Sequence, residues 1–370
     1  MNRKTFFIIS KALSFVIYIA VGLVVGLILA NFGGRTIQQR GVLALIPLVL
    51  ILVVAYFLQI IIHELGHLIF GLMTGYRFKS FRIGSLMLIR NADGKLSFKR
   101  LSIAGTAGQC LMGPPDIENG KIMHILYNFG GVIANLTAAV IFDILYIYSA
   151  DGIYKPAFYL FMAVTGFALA VVNGIPMQQE SVNNDGMNAM MLGQDPEAMN
   201  AFWLQLKVNE LTADGQRLKD MPAEWFYLPE KKYLLNYICA VRGVLYCNRL
   251  LDQHRFEEAA KSIYDLRQSG VSLVGLHESL LRCDQIYCHI VNKDSPDKAK
   301  QLWTDDLKKF MKSMKDYPSV LRTQYAYAMK IEKDFVKAEE LKSRFEKVSE
   351  SYPYPSEIAA EKELIRLVTE

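Results

Sequence analysis

The apolar stretch at residues 42–72 contains the pentapeptide His63-Glu64-Leu65-Gly66-His67 and no charged residue outside it. A helix of this length and composition can cross the roughly 30 Å hydrocarbon core of a bilayer. Ionisable side chains inside such a helix are costly and are functional by default. The stretch therefore restricts the chain to membrane folds and marks these five residues as a candidate site.

The spacing of the two histidines is typical of a metal site. Residues i and i+4 share one face of a helix, so His63 and His67 can offer two imidazoles to one Zn²⁺. In soluble zinc proteases with this HExxH spacing, the glutamate acts as general base on the water that the metal activates. We therefore predict one zinc ion per chain, with His63 and His67 as ligands and Glu64 as a catalytic residue.

Hydropathy divides the chain into two parts. Apolar residues dominate before residue 175, and charged residues are concentrated after residue 205. Four stretches, at 5–30, 42–72, 123–150 and 157–172, are apolar enough to span a membrane. We expect a mainly α-helical polytopic membrane protein followed by a soluble helical part. The predicted boundaries are 1–195 for the membrane domain, 196–229 for connector helices and 230–370 for a helical domain.

The distribution of basic residues predicts an orientation. Arg3 and Lys4 precede the first stretch, and the segment 76–112 contains seven Lys and Arg residues. By the positive-inside rule, the amino terminus, this segment and the carboxyl-terminal domain face the cytosol. The absence of long targeting segments favours a bacterial plasma membrane. No basic stripe interleaved with aromatic residues is present, which argues against a nucleic-acid partner.

Two short runs at 81–90 and 95–103 flank the sequence Asn91-Ala-Asp-Gly94. Asp-Gly between runs rich in apolar and aromatic residues is typical of a β-hairpin. We expect a small membrane-associated sheet next to the candidate site, where an edge can receive an extended substrate strand. A solvated linker is the alternative.

A catalytic zinc needs a third protein ligand. The segment 173–186 follows the fourth apolar stretch directly and ends in Asp185-Gly186. In the predicted orientation this segment returns to the cytosolic side, where the histidines lie. Asp185 is the preferred ligand and Glu180 the alternative, whereas Asp143 is expected in the far half of its span.

These motifs together resemble the site-2 protease family of intramembrane zinc proteases. That family has HExxH in one span and an Asn-x-x-Pro … Asp-Gly element at another, with the aspartate as third ligand. The corresponding residues here are His63, Glu64, His67, Asn173, Pro176, Asp185 and Gly186. The loop before Asp185 is longer than in many members, and no PDZ or CBS segment is recognisable. The resemblance covers residues 42–195 and implies that Asp185 completes the zinc site.

Asn135 is predicted to take part in catalysis. Gly131-Val-Ile-Ala-Asn135 is similar to a Gly-Pro-x-x-Asn element of the family, with Val132 in the proline position. The resemblance implies that Asn135 faces the metal site, where its amide would stabilise the oxyanion at a lower cost than a buried charge. A helix–helix hydrogen bond beside Gly130 and Gly131 is the alternative.

The carboxyl-terminal part contains a weak repeat. The sequences Phe256-Glu-Glu-Ala259, Pro296-Asp-Lys-Ala299 and Phe335-Val-Lys-Ala338 recur at spacings of 40 and 39 residues. This period is slightly longer than the roughly 34 residues of tetratricopeptide (TPR) repeats, so we predict a TPR-like domain. Such stacks offer concave surfaces to peptides or partner proteins. The alternative, that the helical domain only stabilises the membrane domain, is equally open.

The motifs predict an intramembrane zinc metalloendopeptidase, a hydrolase that cleaves a transmembrane or membrane-associated peptide near the cytosolic leaflet. Its partners would be membrane lipid and that substrate, in regulated intramembrane proteolysis or in peptide maturation. A catalytically silent membrane scaffold, which recruits partners through its helical domain, is the main alternative. A zinc transporter is a third, disfavoured because a glutamate lies between the ligands.

Overall fold

The computed structural model of the chain describes residues 3–103, 105–117, 120–149, 152–177, 183–193, 196–270 and 273–369. Within these ranges the chain is mainly helical and contains one four-stranded antiparallel sheet. The predicted fold class is therefore confirmed at this level.

Four long helices dominate the amino-terminal part. They are α1 (Arg3–Arg40), α2 (Leu45–Met73), α3 (Ile125–Ile147) and α4 (Tyr154–Gly174). Each is long and apolar enough to cross a membrane, which confirms the prediction of four such helices. Helix α1 continues ten residues past its predicted end, through Gly33 and Gly34, and stops before Gly41, whose φ is +81°. The orientation of the helices stays a prediction.

Helices α2 and α3 pack backbone to backbone. A Cβ atom added at Gly130 would lie 2.6 Å from the carbonyl oxygen of Gly66, and one added at Gly66 would overlap Gly130 in turn. Small residues at such a crossing let membrane helices approach closely. The contact brings the face of α2 that contains the HExxH motif directly against α3.

The sheet follows α2 and has the strand order β3-β2-β1-β4. Its strands are β1 (Arg77–Ile83), β2 (Leu86–Arg90), β3 (Leu96–Arg100) and β4 (Gly108–Gly113). The predicted hairpin is present as β2–β3. The prediction of a single run at 81–90 was wrong, because Gly84, with φ +58°, turns the chain between β1 and β2. Strand β4, an edge strand, was not predicted.

In the described residues after 177, ten further α-helices follow the membrane part. They are α5 (Asp185–Leu192), α6 (Pro196–Ala213), α7 (Tyr237–Asp252), α8 (Phe256–Gln268), α9 (Gly275–Val291), α10 (Pro296–Leu302), α11 (Asp305–Ser313), α12 (Pro318–Tyr327), α13 (Phe335–Ser351) and α14 (Pro355–Thr369). The three predicted repeat motifs begin α8, α10 and α13, and their alanines Ala259, Ala299 and Ala338 are buried. The unit that begins at α10 has three short helices rather than a pair. The TPR-like repeat therefore stays a prediction.

The sheet joins the membrane helices to the helical domain. Met87 and Ile89 on β2 belong to the same buried apolar core as α7 to α14. On β1, Lys79 forms an ion pair with Asp214, with 2.5 Å between Nζ and Oδ1. The helical domain is thus packed directly onto the sheet that adjoins the candidate site.

Candidate metal centre

Three of the predicted site residues converge on one point. The Nε2 atoms of His63 and His67 are 3.1 Å apart, and Oδ2 of Asp185 lies 3.1 Å and 3.4 Å from them. The histidines are one turn apart on α2, and Asp185 is the first residue of α5. These ligand-type atoms form a compact group that could hold a metal ion.

The hydrogen bonds of the two imidazoles fix their tautomers. Nδ1 of His67 lies 2.8 Å from the carbonyl oxygen of Tyr127, which can only accept, so Nδ1 donates. Nδ1 of His63 lies 2.7 Å from Oδ1 of Asn135. The Asn135 amide is oriented by its Nδ2, which donates to the backbone oxygen of Gln59 at 2.9 Å, so Oδ1 is the acceptor. In neutral rings both Nε2 lone pairs therefore point at the centre.

The geometry fits zinc. Tetrahedral ligands at about 2.0–2.2 Å from Zn²⁺ are roughly 3.3 Å from one another, close to the separations found here. Among the described residues, Oδ2 of Asp185 is buried and accepts no hydrogen bond. Two lone pairs and one carboxylate oxygen that meet in this way match the ligand set that a zinc ion with an open fourth position requires.

Asn184 positions Asp185 and was missed by the sequence reasoning. It caps α5, because its Oδ1 accepts from the backbone N–H of Met187 at 2.9 Å. Its Nδ2 donates to the carbonyl oxygens of Val172 and Ile175, both at 2.6 Å, which ties α5 to the end of α4. Asn directly before a helix is a recognisable capping signal, and this could have found it.

Glu64 lies next to the edge of the sheet. The residue is buried, and a Cβ atom added at Gly108 would lie 2.5 Å from Glu64 Oε1. Gly108 begins β4, so the carboxylate sits against the first residue of an edge strand. The predicted general base is therefore adjacent both to the three ligands and to a strand edge.

Asn135 has a different position in the network from the one expected. Its Nδ2 is engaged by Oε1 of Gln59 at 2.8 Å and by the Gln59 backbone oxygen, so the amide offers no free N–H to an oxyanion. Gln59 in turn donates to the carbonyl oxygen of Met162 on α4 at 2.8 Å. The geometry favours the alternative of an interhelical hydrogen bond, which here also orients His63. Gln59 was missed, although a polar residue one turn before His63 on the same helix face is a usable signal.

The rival ligands do not join the cluster within the described part of the chain. Asp143 is exposed near the carboxyl-terminal end of α3. Asn173 donates to the carbonyl oxygen of Leu169 within its own helix. Glu180 lies outside the described residues.

Comparisons of the chain with protein-family models, with curated proteins and with solved structures found no match. Function is therefore inferred from the side-chain geometry and from the motif resemblance.

Proposed function

We propose that this protein is an intramembrane zinc metalloendopeptidase of the site-2 protease type. It would cleave a transmembrane or membrane-associated peptide near the cytosolic leaflet. The observation that carries the proposal is the convergence of His63, His67 and Asp185 beside Glu64, between helices of membrane-spanning length. Hydrolysis is the chemistry that this set of groups supports best.

Each residue of the site has a distinct part in the proposed reaction. When bound, Zn²⁺ supplies Lewis-acid activation of water and of the scissile carbonyl. The Glu64 carboxylate takes the proton of the attacking water and returns it to the leaving amine. The Tyr127 carbonyl and the Asn135 amide hold the two imidazoles in the ligating tautomer, which keeps the site ready without rearrangement.

The sheet suggests how the substrate is presented. A peptide bond inside a helix is shielded by the helix's own hydrogen bonds, so a substrate must become extended before it is cut. Strand β4 is an edge strand, and its first residue lies against Glu64. An extended segment that adds to such an edge gains main-chain hydrogen bonds and would place its backbone beside the general base.

The positive-inside pattern supports a cytosolic position for the sheet and the helical domain. Segment 76–112, which contains the sheet, has seven basic residues, and the helical domain packs on the same sheet. Water and the products of cleavage would then exchange with the cytosol. A multi-pass location in a bacterial plasma membrane follows as part of the same proposal.

The test combines metal content with cleavage of reconstituted single-span peptides. We expect about one zinc per wild-type chain, retained zinc without cleavage in Glu64→Gln, and loss of zinc in Asp185→Ala. Asp143→Asn is the matched control, because it removes an exposed carboxylate from α3 and should keep both zinc and activity. A wild-type chain that binds no zinc would contradict the proposal and favour the silent scaffold. Full activity in Glu64→Gln would exclude the proposed role of that residue.

A further inference from the structure

A cavity of about 270 Å³ lies inside the helical domain, far along the chain from the metal centre. Helices α6, α7, α9, α12 and α14 contribute its walls. Helix α14 is held against two of the other helices by hydrogen bonds. Ser356 on α14 donates to the Thr212 carbonyl oxygen on α6 at 3.0 Å, and Tyr287 on α9 donates to the Leu364 carbonyl oxygen on α14 at 2.8 Å. These helices therefore line a pocket that is open on part of its boundary.

The charges that line this space are not balanced. Among the described residues of its wall, the carboxylates are Asp252, Asp284, Glu357 and Glu361, and the guanidinium groups are Arg217 and Arg322. Both arginines bind carboxylates through terminal nitrogens, whereas Nε of Arg322 is buried and has no hydrogen-bond partner among the described residues. Arg322 binds Asp284 at 2.5 Å and Glu361 at 3.1 Å, and Arg217 binds Asp252 at 2.5 Å as well as a glutamate outside the cavity.

Two of the carboxylates lack a full set of partners. Glu357 and Glu361 are one turn apart on the same face of α14, where like charges repel. Within the described ranges, Oε2 of Glu361 is buried and has no hydrogen-bond partner, and Oε2 of Glu357 accepts from the Tyr352 hydroxyl at 2.9 Å. Burial raises the pKa of each of these glutamates to about 7. A cation placed between them would satisfy both.

We propose that this cavity binds the charged end of one lysine or arginine side chain of a peptide, held between Glu357 and Glu361. The volume lies just below the roughly 300–1,000 Å³ of sites for drug-sized ligands, so it suits a single side chain. The wall also contains Val244, Leu280 and Leu281, which can cover the methylene stem of such a residue. This site lies beyond the proposed protease function and does not depend on it.

A basic side chain fits the cavity better than a divalent metal does. Ca²⁺ requires six to eight oxygen ligands. Here the Arg322 guanidinium already occupies Oε1 of Glu361 and Oδ1 of Asp284, so fewer carboxylate oxygens remain for a metal. A compact organic cation needs only one or two acceptor oxygens together with apolar contacts for its stem.

Calorimetric titration of the purified full-length chain tests the proposal. The probes are the blocked amino acids acetyl-lysine-amide and acetyl-arginine-amide, and the matched neutral probe is the same lysine derivative acetylated on Nε. We expect saturable one-site binding of at least one charged probe and none of the neutral probe. Glu361→Gln should weaken this binding at least about tenfold, because one charge-assisted contact is lost. Glu346→Gln removes the same charge from an exposed position on α13 and should leave the binding unchanged.

Several outcomes would overturn the proposal. These are no saturable binding of either charged probe, equal binding of the neutral probe, or binding of Ca²⁺ in place of both. If Glu361→Gln loses its helical circular dichroism signal, the titration uses Glu357→Gln instead. Wild-type affinity for the charged probe in a folded variant of either glutamate also contradicts the site. The titration is repeated in Glu64→Gln, where unchanged binding separates this site from the proposed zinc centre.

Discussion

The candidate metal centre and the charged cavity both bury ionisable side chains, but the surroundings of these side chains differ. At the candidate centre, His63, His67 and Asp185 direct lone pairs at one another, and no described donor lies between them. In the helical domain, Arg322 supplies donors to Asp284 and Glu361. Acceptors that converge without a donor are typical of a cation site, whereas an arginine of the same chain partly neutralises the carboxylates of the helical domain. The difference separates a candidate site to which the described residues supply no positive charge from one to which Arg322 supplies part of it.

The largest effect is expected where the internal cation is removed. Arg322→Met leaves Asp284 and Glu361 buried without their partner, which should lower the free energy of unfolding by about 3–5 kcal/mol. Thermal unfolding followed by circular dichroism measures this change. Arg344→Met is the matched control, because Arg344 pairs with Asp316 at an exposed position and should contribute at most ~1 kcal/mol. Equal stability of the two variants would contradict the expected difference between the buried and the exposed arginine.

A smaller effect is expected from the residues behind the metal ligands. Gln59→Met removes the side-chain groups that hold the Asn135 amide, so His63 loses its fixed tautomer and zinc affinity should fall roughly 10–100-fold. Competition with a chelator measures the affinity. Thr36→Val is the control, because this buried hydroxyl on α1 donates to the carbonyl oxygen of Phe32 in its own helix at 2.7 Å. Unchanged affinity in Gln59→Met would show that α2 alone orients the histidine.

The last effect concerns pH. Burial raises the pKa of Glu357 and Glu361 from the ordinary 4.5 to about 7, so between these values the folded chain binds protons that the unfolded chain does not. The contribution of these two groups to stability should therefore decrease as pH rises from about 5 to 8. Unfolding temperatures measured at about pH 5 and pH 8 give this decrease. In Glu361→Gln the unfolding temperature should depend less on pH than in the wild type. A contribution of Glu357 and Glu361 to stability that increases with rising pH would contradict the raised pKa of these two glutamates.

The sequence predicts the features that depend on local spacing. Hydropathy and length are sufficient for the four long helices, and the i,i+4 spacing places His63 and His67 on one face. Asp185 was assigned through the return of the segment after α4 to the histidine side and through the motif resemblance. The four helices are predicted correctly because they depend on residues close together in the chain and on the thickness of the membrane.

The features that sequence reasoning missed depend on contacts between distant segments. Strand β4 contains two glycines and little β-branched character, so it becomes a strand only by pairing with β1. Gln59 acquires its role only because α3 brings Asn135 within 2.8 Å. Arg322 is of a residue type that is rarely buried, and its environment arises from three helices that meet around it.

The contact between Gly66 and Gly130 has a consequence for how this kind of chain is recognised. Gly66 occupies one of the two positions that HExxH leaves open, so the chemistry of the site does not select it. The backbone of the neighbouring helix does, because no side chain fits between the two. In proteins with this architecture, we expect glycine at the position of Gly66 to be retained for the close approach of the two helices, just as the histidines are retained for the chemistry. A search pattern for them should accordingly read HExGH.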